Sequence, residues 1–415
     1  MKQAGLLLRC RRGMVLSYAC FLWALSSGGE ERGLASIEQG EHAYHEEDRE
    51  WSDVVELALG AHEGLSQVKM ILGGEGGIAF FDTESEGQFP NAEFRMDEAR
   101  LFLEAQLAEN FFLFTEINLI EREYLDEGDL DVGELYLHIE SIAPWRGRGN
   151  LLNLHVGRFD IPFGQEYIHR DAIDNPLISH SLSDIWGVDE GVELYGQLKS
   201  FDYTVAVQNG GDSSSRDFDR DKALSARVGY ASTDRWSMSI SGMRTGDVDV
   251  QDDREAALYF GNEHLRAIGD PESTTAFHVE LLEGDVRLRW SKGHLAAALG
   301  YVRYDDDDTA RDNDRDAYYY YVEALQRLSD KLYGAARYSY IESEDGFPIV
   351  GQGDREASSI DYVTEDLWRL SLGLGYAWSR HLVVKAEYSF ERGRRIDGTD
   401  LNHQDMASLQ MAFGF

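Results

Sequence analysis

From Arg100 onward, charged side chains recur at alternate positions and their neighbours are apolar. One phase holds Arg100, Arg227, Arg287, Arg289, Arg337, Arg369 and Lys385. The same phase holds Glu104, Glu116, Glu134, Glu140, Glu193, Asp285, Glu323 and Glu387. Such groups keep their hydration if they face a water-filled pore, whereas on a lipid face each would cost about 2–4 kcal/mol near mid-bilayer. Opposed rows of guanidinium and carboxylate set a transverse field, and rings of charge bias which ions pass. Plain pairing of charges across a wall explains the same residues, and both readings stand for each of them.

A second constellation lies in segment 161–190, which carries apolar residues that a solvated loop does not need: Ile161, Phe163, Ile168, Ile173, Leu177, Ile178, Leu182, Ile185 and Trp186. A long loop with its own packing residues is usually functional. It is expected to fold into the interior and narrow it, with Glu166, Arg170, Asp171, Asp174 and Asp184 at the constriction. Capping of the outside, or packing on a neighbouring subunit, is the alternative. Catalysis finds no motif: neither Gly-x-Ser-x-Gly nor His-Glu-x-x-His occurs.

The elements that must position these residues alternate with period two. In 368–378, Trp368, Leu370, Leu372, Leu374, Tyr376 and Trp378 oppose Arg369, Ser371, Gly373, Gly375 and Ala377. The last strand sets Ala407, Leu409, Met411, Phe413 and Phe415 against Met406, Ser408, Gln410, Ala412 and Gly414. A strand of this kind ending on an aromatic residue is how an outer-membrane barrel usually closes. Tight connections such as 109–110, 199–200, 291–293 and 379–380 alternate with long polar ones such as 161–190, 245–275 and 342–364. Barrels of this class carry short turns on the periplasmic side and long loops outside. The pattern predicts a transmembrane antiparallel β-barrel of about sixteen strands over 65–415, with both ends periplasmic. Trp236, Trp290 and Trp378 beside short turns, and Tyr301, Tyr318, Tyr340, Trp368 and Phe390 toward the other ends, predict two aromatic girdles.

Composition agrees. The chain has 415 residues, a formal net charge of −37 and only six prolines against 41 glycines. Mean hydropathy is low because barrel strands average over both faces. The acidic balance argues against nucleic acid as a partner. Residues 1–26 read as a signal peptide: basic Lys2, Arg9, Arg11 and Arg12, an apolar core over 14–25, and Ala24-Leu25-Ser26 for cleavage. Cys10 and Cys20 both lie in it, so the mature chain has no thiol. Residues 27–64 read as an acidic periplasmic extension, partly disordered or helical.

No cofactor is expected. Clustered loop carboxylates, Asp312, Asp314 and Asp316 among them, are hard ligands suited to Ca²⁺ or Mg²⁺. With Glu323 they match EF-hand spacing, but Ala317 replaces the turn glycine and a tyrosine-rich strand follows. Diffuse cation binding that bridges lipopolysaccharide phosphates is the milder expectation, and a solvated acidic surface the plainest.

The stretch Val156-Gly157-Arg158-Phe159-Asp160-Ile161-Pro162-Phe163-Gly164, followed by Asp189-Glu190-Gly191-Val192-Glu193-Leu194-Tyr195-Gly196, resembles the phosphate-selective porin O and P family and related outer-membrane porins. The resemblance covers about 65–415. It implies a sixteen-stranded porin, a homotrimer, and an ordered loop entering the pore before the next strand. Phosphate-selective members line that constriction with arginines and lysines; here the loop is rich in aspartate, so their binding residues are not carried over. The resulting expectation is a non-enzymatic outer-membrane porin passing small hydrophilic solutes or ions by passive diffusion. The alternative is a non-conducting structural or partner-binding barrel.

Overall fold

Alternation builds the wall. Along Ala276–Trp290, Leu282, Val286, Leu288 and Trp290 point out, while Phe277, Val279, Leu281, Glu283, Asp285 and Arg287 are buried on the other side. Successive side chains of a strand point to opposite faces, so each strand has one apolar outer face and one mixed inner face. A computed structural model describes residues 55–57, 68–85, 87, 89–120, 131–142, 151–183, 185–210, 220–233, 235–249, 275–307, 314–348 and 363–415.

Sixteen long strands make a closed antiparallel barrel. They are β1 (Val68–Thr83), β2 (Glu93–Ala108), β3 (Phe111–Ile120), β4 (Asp131–Ile139), β5 (Asn153–Asp160), β6 (Val188–Leu198), β7 (Phe201–Gln208) and β8 (Ala223–Thr233). Then follow β9 (Trp236–Arg244), β10 (Ala276–Trp290), β11 (Gly293–Asp306), β12 (Arg315–Arg327), β13 (Leu332–Pro348), β14 (Val363–Ser379), β15 (Leu382–Arg395) and β16 (Met406–Gly414). Each pairs with the next, and β16 pairs with β1 from Met406↔Thr83 to Gly414↔Glu75. The seam continues past the last strand: Phe415 N–H donates to the Gly74 carbonyl at 2.9 Å and the Phe415 carbonyl accepts from Gly74 N–H at 3.2 Å. Closure leaves no free sheet edge.

Short and long connections fall at opposite ends, as the spacing predicts. Segments 109–110, 199–200, 291–292 and 380–381 turn tightly at one end; the described residues of 84–92 and 161–187, and 396–405, lie at the other. The wall is uneven in height. Strands β5 and β7 have 8 residues each, whereas β13 and β14 have 17 each. One difference from expectation lies in the N-terminal extension, where Val55–Leu57 pair antiparallel with Val68–Met70. The ladder thus begins earlier than Leu65.

Both girdles are present. Beside the short turns, Trp378 is 66% exposed, and the Phe201 and Trp236 rings lie tilted against Tyr230 at 4.7 and 5.4 Å. Toward the long connections, Tyr301–Tyr318, Tyr320–Tyr340 and Tyr388–Phe390 pair at 5.1, 5.5 and 4.8 Å. Amphipathic rings at both rims frame an apolar band that includes Leu372, Leu374 and Leu409.

Outside the strands, Asp405 braces the last long connection. It accepts from Arg392 at 3.1 Å and from Glu391 N–H at 3.1 Å. Burial pushes its carboxyl up, but the Arg392 and Glu391 bonds outweigh this and hold it below the usual carboxylate range.

Candidate functional site in the barrel interior

Among the described residues, segment 161–187 is the largest feature built on the inner face. It leaves β5 through Gly164, which has φ +72° and donates its N–H to Ser241 Oγ at 3.1 Å. The positive φ favours glycine, and a Cβ there would stand 2.6 Å from a Glu283 carboxylate oxygen and push that side chain's end aside. A one-turn 3₁₀ helix, Glu166–His169, follows. The apolar residues singled out in the sequence explain why the segment is inside. Phe163, Leu182 and Ile185 pack with Phe277, Val302, Tyr304 and Tyr319 of β10–β12. Ile173 and Leu177 pack with Leu325, Tyr333, Val383 and Ala412 of β12, β13, β15 and β16. Each such side chain, fully buried, contributes about 1.5–3 kcal/mol.

Polar bonds then fix the segment to one wall. Lys385, 2% exposed, donates Nζ–H bonds to the carbonyls of Ala172, Leu177 and Asn175 at 2.6, 2.8 and 3.1 Å. Glu387 accepts from Ile178 N–H at 2.5 Å, from Ser179 N–H at 3.0 Å and from the Ser179 hydroxyl. Arg337 donates to Glu323 at 2.5 Å, to the Ser179 carbonyl at 2.7 Å and to Asn175 at 3.0 Å. Arg369 donates to Glu391 at 2.6 Å and to the His180 carbonyl at 3.4 Å. The Ser179 and Ser371 hydroxyls meet at 2.9 Å. Backbone carbonyls and N–H groups of an irregular segment must find partners when buried, and the inward phase of β13–β15 supplies them.

An acidic pole lies beyond, on β1–β3. Arg100 donates to Asp171 at 2.8 Å and Glu98 at 3.1 Å, with Glu75 at 3.8 Å and Glu116 at 4.0 Å. Glu98 also accepts from Ala172 N–H at 2.6 Å. Four carboxylates therefore surround one guanidinium.

The proposed constriction residues do not gather into one ring. Glu166 accepts from Ser181 N–H at 2.7 Å and lies 4.0 Å from Arg337. Asp171 meets Arg100 on the other side. Arg170 lies over the Trp186 ring at 4.3 Å. Asp174 is buried, and its N–H closes a turn on the Asp171 carbonyl at 2.9 Å. Asp184 lies outside the described residues. The charge-row residues that lie within strands face inward; Glu140 lies just past the end of β4. Arg227 pairs with Asp202 at 2.8 Å, Arg289 reaches Ser237 at 3.5 Å, and Glu104 is buried. Arg287 is inward and buried as well.

Sequence reading missed Glu75, Glu98 and Glu190, the last paired with Arg158 at 3.2 Å. Glu98 shares the phase of Arg100, which was the available signal. Also missed was an imidazole–aromatic patch on β4–β6. His138 and the Tyr195 hydroxyl meet at 2.5 Å, His155 and Glu193 at 2.9 Å, and the Tyr136 and His155 rings at 4.4 Å. Among the loop carboxylates, Asp312 lies outside the described residues. Asp314 is 3.3 Å from Arg303, and Asp316 accepts from the Tyr301 hydroxyl at 2.5 Å. Among the described residues no three potential ligands are arranged to hold a metal ion.

No family model matches the chain, and no curated protein matches its sequence. Solved structures do match in fold. The outer membrane channel DcaP of Acinetobacter baumannii is 13% identical with a TM-score of 0.57, covering 86% of this chain and 100% of that one. OmpT, an outer membrane protein of Vibrio cholerae, is 12% identical with a TM-score of 0.57, covering 85% and 100%. An anion-selective porin from Comamonas acidovorans is 11% identical with a TM-score of 0.52, covering 84% and 100%. At these identities the likeness is one of architecture: a closed sixteen-strand antiparallel barrel of the kind found in outer-membrane porins.

Proposed function

We propose that this chain is an outer-membrane porin, a passive channel for small hydrophilic solutes or ions, narrowed by segment 161–187. One observation carries the reading: a sealed cylinder with apolar residues outside and ionisable residues inside. Ionisable side chains within a membrane protein face a cavity or one another and mark a solute path. Filtering is by size at the inserted segment and by charge along the rows. The long-loop end faces outward and the termini lie in the periplasm, after removal of residues 1–26. A homotrimer, contact with lipopolysaccharide, and diffuse Ca²⁺ or Mg²⁺ at the acidic loops complete the proposal. Kinship with phosphate-selective porins is proposed at the level of the Val156–Gly164 segment and not of its ligand.

A second reading, a non-conducting structural or partner-binding barrel, is favoured by the apolar packing of 161–187 against β10–β13. One experiment separates the two. Purified protein in planar bilayers gives stable open steps if it is a porin, and none if it is filled. A reversal potential across a salt gradient then reports ion preference. The acidic segment supports cations, and neutralising Asp171 and Asp174 is expected to weaken that preference.

A further inference from the structure

The outer wall carries a groove of about 850 Å³ that crosses β12–β16. One register row runs from Trp290 at the end of β10 through Gln326, Gly334, Leu374 and Ala386 to Phe80 on β1. Strands of such barrels tilt by about 35–45°, so a row that follows the ladder climbs obliquely from the short-turn rim through the apolar band. Small outward residues make the floor: Gly334, Ala336, Ala386 and Ala407. A Cβ at Gly334 would meet nothing closer than 3.8 Å, so the hollow is open there. Leu374 and Leu409, each 55% exposed, bank it. The two ends of the groove differ in charge. At the short-turn end, Trp290 Nε1 donates to Gln326 at 3.1 Å, and Gln326 donates to the Lys292 and Arg327 carbonyls at 3.0 and 2.9 Å. Lys292 and Lys331 are exposed on this rim and Arg327 and Arg380 half-buried, against Asp330 and the carboxylate at Phe415. The next turn, 234–235, adds one charge of each sign. Lumen-side charges, Glu323 with Arg337 among them, lie across the wall. At the far end Asp82 and Glu84 are exposed, and Arg392 is bonded to Asp405. A basic rim is an exception in a chain of net charge −37.

We propose that this groove is the seat of one anionic phospholipid, with an acyl chain along the floor and the phosphate at Lys292 and Lys331. Charge sets the direction: basic groups at a membrane rim attract an anionic headgroup, whereas a lipid entering from the other end would set its phosphate against Asp82 and Glu84. The Trp290–Gln326 pair stands where the apolar chain ends and the wet headgroup begins, the level at which an amphipathic ring belongs. A concave site of this volume can order a ligand that a flat wall would leave to exchange. The inference rests on the proposed orientation, in which the short turns face the periplasm and so the phospholipid leaflet.

Native mass spectrometry of the full chain, folded in detergent, tests this without conduction, so failure of the channel reading in bilayers remains a separate result. The probes are phosphatidylglycerol and phosphatidylcholine with identical chains at equal concentration, and heat-modifiable gel mobility checks folding. One phosphatidylglycerol is expected to be retained at least fivefold more than phosphatidylcholine. Lys292→Gln with Lys331→Gln should bring the two lipids level. Gly334→Leu, which fills the floor, should cut retention of phosphatidylglycerol at least threefold; Ala336→Leu takes its place if that variant does not fold. Equal retention of the two lipids by the unaltered chain, or a preference that survives the double lysine change, overturns the headgroup site. Unchanged retention in the folded groove variant overturns the chain seat. Displacement of phosphatidylglycerol by an equal concentration of lipid A overturns the phospholipid assignment. A groove variant that turns an oligomer into a monomer gives the groove to a second copy of the chain and overturns it as well.

Discussion

The walls β13–β16 and β3–β6 share one outer face and differ on the inner one. Outside, both present leucine, valine and aromatic rings. Inside, the first offers Arg337, Arg369, Lys385 and Glu387, all bonded to segment 161–187. The second offers Phe112, Phe114, Tyr136, His138, His155 and Tyr195, which pack mainly on one another. Hydrocarbon imposes the same demand at every strand, so the outer face repeats. The inner face meets either a chain segment or the rest of the lumen, and its chemistry diverges accordingly.

The largest break in this contrast should come from Lys385→Met. It leaves three buried carbonyls without their donor, at about 1–3 kcal/mol for a group so stranded. Thermal unfolding in detergent should drop by several degrees, and protease sensitivity should appear within 161–187. Glu387→Gln comes next. An amide offers one acceptor oxygen where the carboxylate serves Ile178, Ser179 and Ser389, and the expected loss is about 2 kcal/mol. Asp171→Asn uncouples Arg100 from the segment. Both partners are buried, so the loss of the ion pair should be visible in thermal unfolding, softened by the three carboxylates that remain around Arg100, and the reversal potential should shift toward anions.

On the opposite wall, Tyr195→Phe removes one bond to His138 and should cost about 1 kcal/mol while leaving protease sensitivity of 161–187 unchanged. Equal sensitivity in Tyr195→Phe and Lys385→Met would erase the distinction between the walls. The smallest effect is outside both. Asp405, held below its unfolded value of about 3.9, contributes stability that is present above about pH 4 and lost as pH falls through the folded value. Asp405→Asn should flatten that part of an acid-unfolding curve.

Much of this was legible in the sequence. Alternation assigned Leu372, Leu374 and Trp378 outward and Arg369 and Ser371 inward, and connection lengths ordered the two ends. The apolar residues of 161–190 announced an inserted segment. Partnerships were not legible. An inward arginine looks alike in sequence whether it binds a carbonyl, as Arg337 does with Ser179, or a carboxylate, as Arg227 does. The side chains named for a constriction point variously to β2, to β13 and to Trp186, because the path of an irregular segment is set by tertiary contacts with no period to read. Val55–Leu57 was missed because three residues are too few to show alternation.

The central claim is that segment 161–187 lies inside the wall against β14. The sequence has no cysteine after Cys20, so Ser179→Cys with Ser371→Cys, in a chain with Cys10 and Cys20 replaced by serine, reports on it directly, since the two hydroxyls stand 2.9 Å apart. Mild oxidation should close a disulfide in the folded barrel, and the pair Ser179→Cys with Leu372→Cys, one residue along and facing out, should not. Absence of the first cross-link, or equal formation of both, would contradict the account.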